Sequence, residues 1–295
     1  MSNAPEATAN ETTVTSTATA ASARTTFDFP RPTQPWPESS PRSLWVHSLV
    51  QCKRLLMRWS RDPSTMIQAL LYPALTLVMF RVVIGNTVTA ATGQPAIYGQ
   101  VPMIILVGAM FGSIVSAIGL RVERKAGLLS RFWTLPIHRA AGLVGRMMAE
   151  AVRVFATSVV ILGVGFALGF RMTQGILPSI LLLVIPIIFG MGFAMMVTAL
   201  ATVSGDAPLV EMVSIACTLL MFFNSGFVPV MAYPTWLQPV VAAQPMSVAV
   251  DAMRGLAVGG PILEPVLQTL AWSFGLMAVF VYPAVRGYRY AAATG

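Results

Sequence analysis

Six stretches of this chain, at about residues 65–85, 101–120, 148–170, 176–200, 209–228 and 264–285, are almost uninterruptedly apolar for about twenty residues each. At 1.5 Å of rise per residue, a helix of that length crosses the roughly 30 Å hydrocarbon layer of a bilayer. The expectation is an all-α integral membrane protein with six transmembrane helices. The composition agrees: 56% of residues are hydrophobic and only 10% charged, with a mean hydropathy of +0.72, whereas charged residues approach a quarter of a soluble domain.

The net charge of +8 does not point to nucleic acid when so few residues are charged; the basic residues read instead as topology signals. Seven precede the first span (Arg24, Arg31, Arg42, Lys53, Arg54, Arg58, Arg61), six lie between spans two and three (Arg121, Arg124, Lys125, Arg131, Arg139, Arg146), and Arg286 and Arg289 follow the last. Only Arg171 and Arg254 fall on the other side. The positive-inside rule then puts both termini on the cytoplasmic side.

Residues 1–42 are rich in Ala, Thr, Ser and Pro and lack an apolar run, so a disordered cytosolic tail is expected, with none of the apolar core of a signal peptide. Over residues 43–62, Trp45, Leu49, Cys52, Leu56 and Trp59 recur at helical spacing on one side, with His47, Gln51, Arg54, Arg58 and Arg61 opposite. This predicts an amphipathic interfacial helix whose tryptophans sit among headgroups and whose arginines meet lipid phosphates; a cytosolic helix packed on a partner fits the same pattern. Asp62-Pro63 breaks it before the first span.

Several kinds of chemistry are missing. A phosphate-binding P-loop needs a lysine after a glycine-rich turn, but the two lysines, Lys53 and Lys125, follow Cys52 and Arg124. No HExxH, GxSxG or paired carboxylates occur in an apolar segment, so no catalytic residue is assigned and the chain reads as a non-enzyme. Two cysteines, Cys52 and Cys217, and two histidines, His47 and His138, make neither a disulfide framework nor a metal cluster.

The basic stretch 121–136 interleaves Arg121, Arg124, Lys125 and Arg131 with Leu128, Leu129, Phe132 and Trp133, an i, i+1, i+4, i+5 stripe on a short helix that Pro136 ends. Such a helix suits docking into a partner's groove, or resting against headgroups. Glu123, Gly127, Leu128, Leu129, Arg131, Leu135-Pro136 and Arg139 resemble the signature loop of ABC-2 type transporter permeases. Further stretches, among them Arg58-Trp-Ser-Arg-Asp-Pro, Leu168-Gly-Phe-Arg, Tyr233-Pro-Thr-Trp-Leu-Gln-Pro and Ala252-Met-Arg-Gly-Leu-Ala-Val-Gly-Gly-Pro, are similar to daunorubicin-resistance permeases of mycobacteria, nearest their DrrC type, over about residues 43–290.

That resemblance implies a six-helix ABC-2 (type V exporter) domain over 63–290, and ATP with Mg held only by a separate DrrA-like ATPase in two copies. It also implies a DrrB-like second permease subunit and an amphiphilic drug or cell-envelope lipid, such as phthiocerol dimycocerosate or phenolic glycolipid, as cargo. The element 121–136, with Glu123, Arg124, Gly127, Leu128, Leu129, Phe132 and Trp133, would be the coupling helix gripping the ATPase. Asp206 and Glu211, around the turn between spans four and five, would be a second contact. Other classes stay open on composition: a proton-coupled carrier using Glu150 or Glu211, or a structural subunit.

Residues 229–260, with Pro229, Pro234, Pro239 and Pro245, are too proline-rich for a crossing helix yet apolar, and read as outer re-entrant helices carrying Tyr233, Trp236 and an Asp251–Arg254 pair. A charge facing lipid costs roughly 2.5–3.5 kcal/mol at mid-bilayer, so Arg81 is expected to snorkel and Glu150 to pair with Arg153. Gly108, Gly112 and Ser116, and Gly165 with Gly169, permit close helix packing within one subunit. A groove lined by spans one, two and five, with Met79, Arg81, Met110, Phe222, Phe223 and Asn224, is the expected substrate path.

Overall fold

A computed structural model describes residues 40–133, 137–203 and 209–293. Most of the expected N-terminal tail, Pro136 and Asp206 lie outside the described residues. Among those described, every regular element is helical. Helix α1 (Pro41–Arg61) starts with proline in its first turn and stops at Asp62, the residue before Pro63, where helical geometry is disfavoured. Asp62 then caps the next helix by accepting from the Ser64 amide at 3.1 Å. The Thr65 hydroxyl also donates to it and holds its carboxyl below the usual range.

The first span, Pro63–Val83, is one apolar rod made of α2 (Pro63–Met66), a π-helical turn (Ile67–Leu71) and α3 (Tyr72–Val83). The wide turn is placed to absorb Pro73, which lacks an amide and whose ring crowds the carbonyl four residues back. A short α4 (Gly85–Thr92) ends at Gly93 with φ 68°, and leads into α5 (Ile97–Lys125). Then follow α6 (Leu128–Trp133), α7 (Ala141–Ala167), α8 (Ile176–Val203), α9 (Leu209–Phe222), α10 (Gln238–Ala243), α11 (Pro245–Val258) and α12 (Leu263–Ala293).

Helix α5 is the centre. It packs on α3, α7, α8, α9 and α11, and Val101, Met103, Ile104, Leu106 and Met110 join Phe170, Phe189, Met246 and Met253 in the main core. Helices α8 and α12 run parallel and pack closely on the other flank, Gly192 meeting Ser273 and Gly287 meeting Thr202: a Cβ on Gly192 would stand 2.7 Å from the Ser273 carbonyl oxygen and 3.1 Å from its Cα. Gly108 and Gly165 likewise let α5 and α7 approach through Thr157 and Val101. Gly169 does something else, with φ 101° and open space around it, turning the chain after α7.

Among the described residues, five helices are long and apolar enough to cross a membrane: Pro63–Val83, Ile97–Lys125, Ala141–Ala167, Ile176–Thr202 and Leu263–Tyr290. The sixth expected span is shorter than its apolar run. Helix α9 has 14 residues, about 21 Å at 1.5 Å each, and ends at Phe222 because Asn224 takes over the local hydrogen bonds. Its amide donates to the carbonyls of Leu220 (3.2 Å) and Met221, while its Oδ1 accepts from the amides of Gly226 (2.7 Å) and Phe227 (3.0 Å). Residues 229–260 form α10 and α11, the latter almost wholly buried against α5, α8 and α12.

Replacing Gly192 with leucine should therefore force α8 from α12. Overpacking of this kind costs about 1–3 kcal/mol, and a lowered thermal midpoint of the detergent-solubilised chain, relative to a substitution at the open Gly163, is the expected result.

Candidate functional site

At one end of the bundle, three elements bring charges together. Helix α1 presents Arg54 and Arg58 one turn apart; α5 presents Glu123 near its last turn; α7 carries Arg146, Glu150 and Arg153 at i, i+4 and i+7 along one stripe. Glu123 is 2% exposed. Its Oε1 accepts from Arg58 Nη1 at 3.0 Å and faces Arg54 Nη2 at 3.5 Å, and its Oε2 accepts from Arg146 Nη2 at 2.9 Å. Arg146 also donates to the Ser116 carbonyl (3.1 Å) and hydroxyl (3.2 Å). One turn farther in, Arg153 pairs with Glu150, its Nε donating at 3.0 Å, and reaches Ala109 O and Ser113 Oγ at 3.5 Å.

The guanidinium fork suits this work: it stays charged and distributes several donors over fixed directions. Gly112 makes the room, because a Cβ there would fall 1.5 Å from Arg153 Nη1. Between these clusters, α1 and the first span lies a cavity of about 540 Å³, with Val107, Phe111, Val115 and Tyr72 on its apolar side and Arg58, Glu123, Arg146, Glu150 and Arg153 on its polar side.

Arg54 and Arg58 both reach Glu123 while staying partly exposed, and the carboxylate itself is enclosed, joining the end of α5 to α1 and α7. Arg124 also points inward, donating to the Thr202 carbonyl at 3.0 Å and capping the end of α8. Gly127 adopts φ 68° and makes the corner between α5 and α6. Leu129 is buried against Leu120 and Tyr288, whereas Leu128 is half-buried; the side chains of Phe132 and Trp133 lie outside what is described.

On α1, Trp45 and Leu49 are exposed and Trp59 is half-buried. Cys52 departs from that stripe: it is buried with Ser48 and Gln51, α1 packing on α7, and burial raises its thiol pKa. The two histidines are joined, the His138 amide donating to His47 Nδ1 at 3.1 Å. Glu211 is exposed in the first turn of α9.

The expected substrate-path residues divide. Met79, Phe222 and Phe223 are exposed and Arg81 is half-buried; Met110 is in the core and Asn224 is fully buried as the cap of α9. At the other end of the bundle the Asp251–Arg254 pair forms at 3.2 Å. Arg254 Nη2 donates to Ser225 O at 2.7 Å, Ser225 Oγ donates to Asp251 Oδ1 at 2.9 Å, and the Ser225 amide donates to Ser247 Oγ at 3.1 Å. This latch ties the segment after α9 to α11. Tyr233 adds a bond to Phe222 O at 3.1 Å, and Trp236 stands exposed. Ser247 carries no signal of its own in the sequence, and Arg146 reads there only as a topology residue, although Arg146, Glu150 and Arg153 share one stripe of an apolar helix.

Among the described residues, five helices long and apolar enough to cross a membrane, an amphipathic helix packed on them and a basic loop with a short helix between the second and third define a multi-pass membrane protein. The ABC-2 type transporter pattern matches residues 49–258, and the chain belongs to that family. It is 42% identical over 258 residues, 88% of this chain and 94% of the relative, to the probable doxorubicin resistance ABC transporter permease protein DrrC of Mycobacterium tuberculosis. It is 28% identical, over 82% of this chain and 86% of the relative, to the daunorubicin resistance ABC transporter permease protein DrrB1 of Streptomyces coeruleorubidus. A putative transport permease, ycf38 of Porphyra purpurea, is 24% identical over 71% of this chain and 72% of the relative.

Removing the Glu123 charge leaves three guanidinium groups around an empty centre. Glu123→Ala should cost about 3–5 kcal/mol, as breaking a buried pair does, whereas Arg58→Ala, at a half-exposed site, should cost no more than about 1 kcal/mol. Thermal unfolding followed by size exclusion checks the order.

Proposed function

We propose that this chain is the membrane-spanning permease of an ATP-driven exporter whose cargo is a hydrophobic or amphiphilic molecule. A separate DrrA-like ATPase in two copies supplies the energy, and a DrrB-like permease completes the pathway. Both termini are cytoplasmic in the bacterial plasma membrane. The observation that carries this reading is the Glu123 node: the polypeptide passes directly from it, through the Gly127 corner, into α6, and the node clasps α1, α5 and α7 together. Force applied to α6 by a partner is therefore delivered to three helices at once. The names of the relatives, permease proteins of doxorubicin and daunorubicin resistance transporters, support the same assignment.

The cargo follows from the spans. Their outward faces offer Met79, Val82, Ile215, Leu219, Phe222 and Phe223, surfaces that accept apolar molecules and carry no fixed pattern of polar groups to select a sugar. A cell-envelope wax ester such as phthiocerol dimycocerosate, a phenolic glycolipid or an amphiphilic drug meets that description. Helices α10 and α11 serve as re-entrant elements over the exit, held by the Asp251–Arg254–Ser225 latch.

Co-expression with a DrrA-like ATPase tests the reading. The expected result is a complex that co-purifies and hydrolyses ATP faster in the presence of amphiphile. Leu128→Asp, at the half-buried outer edge of α6, should weaken co-purification without unfolding the chain. A chain that moves cargo with no ATPase bound would overturn the assignment in favour of a secondary carrier.

A further inference from the structure

We propose that the cavity beside the Glu123 node binds an uncharged amphiphile with a long aliphatic chain, its polar end by Gln68 and Ser116 and its chain against Val107, Phe111 and Val115. Charge is the first argument. The lining carries three guanidinium groups, Arg58, Arg146 and Arg153, and three carboxylates, Asp62, Glu123 and Glu150, so it is neutral as a whole. Each carboxylate is also matched within the chain: Glu123 by Arg58 and Arg146, Glu150 by Arg153, and Asp62 by the Ser64 amide and the Thr65 hydroxyl. A ligand with a net charge of either sign would shed water on entry and meet no opposite charge left over, which is costly for an ion. An uncharged molecule meets no such barrier.

Shape is the second. The lining follows α5 from Glu123 to Val107, a distance of about 24 Å at 1.5 Å per residue. A round cavity of the same volume, about 540 Å³, would be only about 10 Å across. The site is therefore an elongated slot, and it suits an extended chain better than a compact ring system.

Along the slot the lining is graded. Glu123 and Asp62 stand at the end nearest α6, Gln68 and Ser116 farther in, and Phe111 and Val107 farthest. The Gln68 amide, with two donors and an acceptor, and the Ser116 hydroxyl suit an ester or hydroxyl head group. Gln68 belongs to the π-helical turn Ile67–Leu71, and such turns inside α-helices recur at functional sites. Apolar walls with a few polar groups, at this volume, are the ordinary make of a small-molecule site. Which molecule binds follows from the cavity alone, whereas its purpose rests on the permease reading, so lipid binding to the chain and assembly with an ATPase fail separately.

The test is native mass spectrometry of the full-length chain in detergent with three probes of one chain length: 1-oleoylglycerol, oleyl sulfate and oleyltrimethylammonium. The uncharged probe should be retained about tenfold more tightly than either charged one, a modest share of what desolvating an ion costs. A diazirine at the far end of its chain should cross-link to α5 between residues 107 and 115. Gly119→Leu adds a side chain to the cavity lining at a position where a Cβ meets nothing within 4 Å, and should abolish retention and cross-linking in a chain whose melting point is not lowered. In a complex with a DrrA-like ATPase, release of the probe on adding ATP identifies the occupant as cargo and its retention identifies a resident lipid; the site stands in both cases. Retention of a charged probe equal to or tighter than that of 1-oleoylglycerol, no retention of any probe, cross-links confined to outward faces such as Val82 or Ile215, or unchanged labelling in Gly119→Leu would each overturn the proposal.

Discussion

One carboxylate organises the polar contacts that join α1, α5 and α7. Glu123 sits where an apolar bundle meets a basic loop, and it is the only anion within hydrogen-bond reach of Arg58 and Arg146 among the described residues. Burying two such charges, on Glu123 and Arg146, costs several kcal/mol each before pairing, and a bundle whose stability came from apolar burial alone would do better with leucine there. The retained cluster instead welds α1, α5 and α7 at the point where the chain leaves α5 for α6. A short helix on a flexible tether would absorb a push; this one is rooted in the three helices that surround the cavity.

Much of the fold was legible because hydrocarbon imposes a length. The spans Ile97–Lys125, Ala141–Ala167 and Ile176–Thr202 enclose the apolar runs that announced them. The short α9 was not legible for a reason of backbone chemistry. Hydropathy counts side chains, and Phe223, Phe227 and Val228 prolong the apolar run, but Asn224 diverts the carbonyls and amides that a continuing helix would use. An asparagine in an apolar segment carried that message in its side-chain amide.

The site was legible in part. Local pairs such as Glu150–Arg153 and Asp251–Arg254 followed from i, i+3 spacing. The Glu123 node did not, because its partners come from 65 residues before it and 23 residues after, and no periodicity links helices that distant. The same residues had been read one at a time, the arginines as topology markers and the glutamate as a partner's handle. Packing brings them together in one cluster.

The central claim is mechanical: the node transmits work from α6 to the spans. The direct measurement is the number of cargo molecules moved per ATP hydrolysed in proteoliposomes that contain the chain with its ATPase, comparing the unaltered protein with Arg58→Gln. That substitution loosens α1 from the node at a half-exposed position while Arg146 still holds Glu123. The account predicts that hydrolysis continues and the transport ratio falls. An unchanged ratio in an intact complex would contradict it.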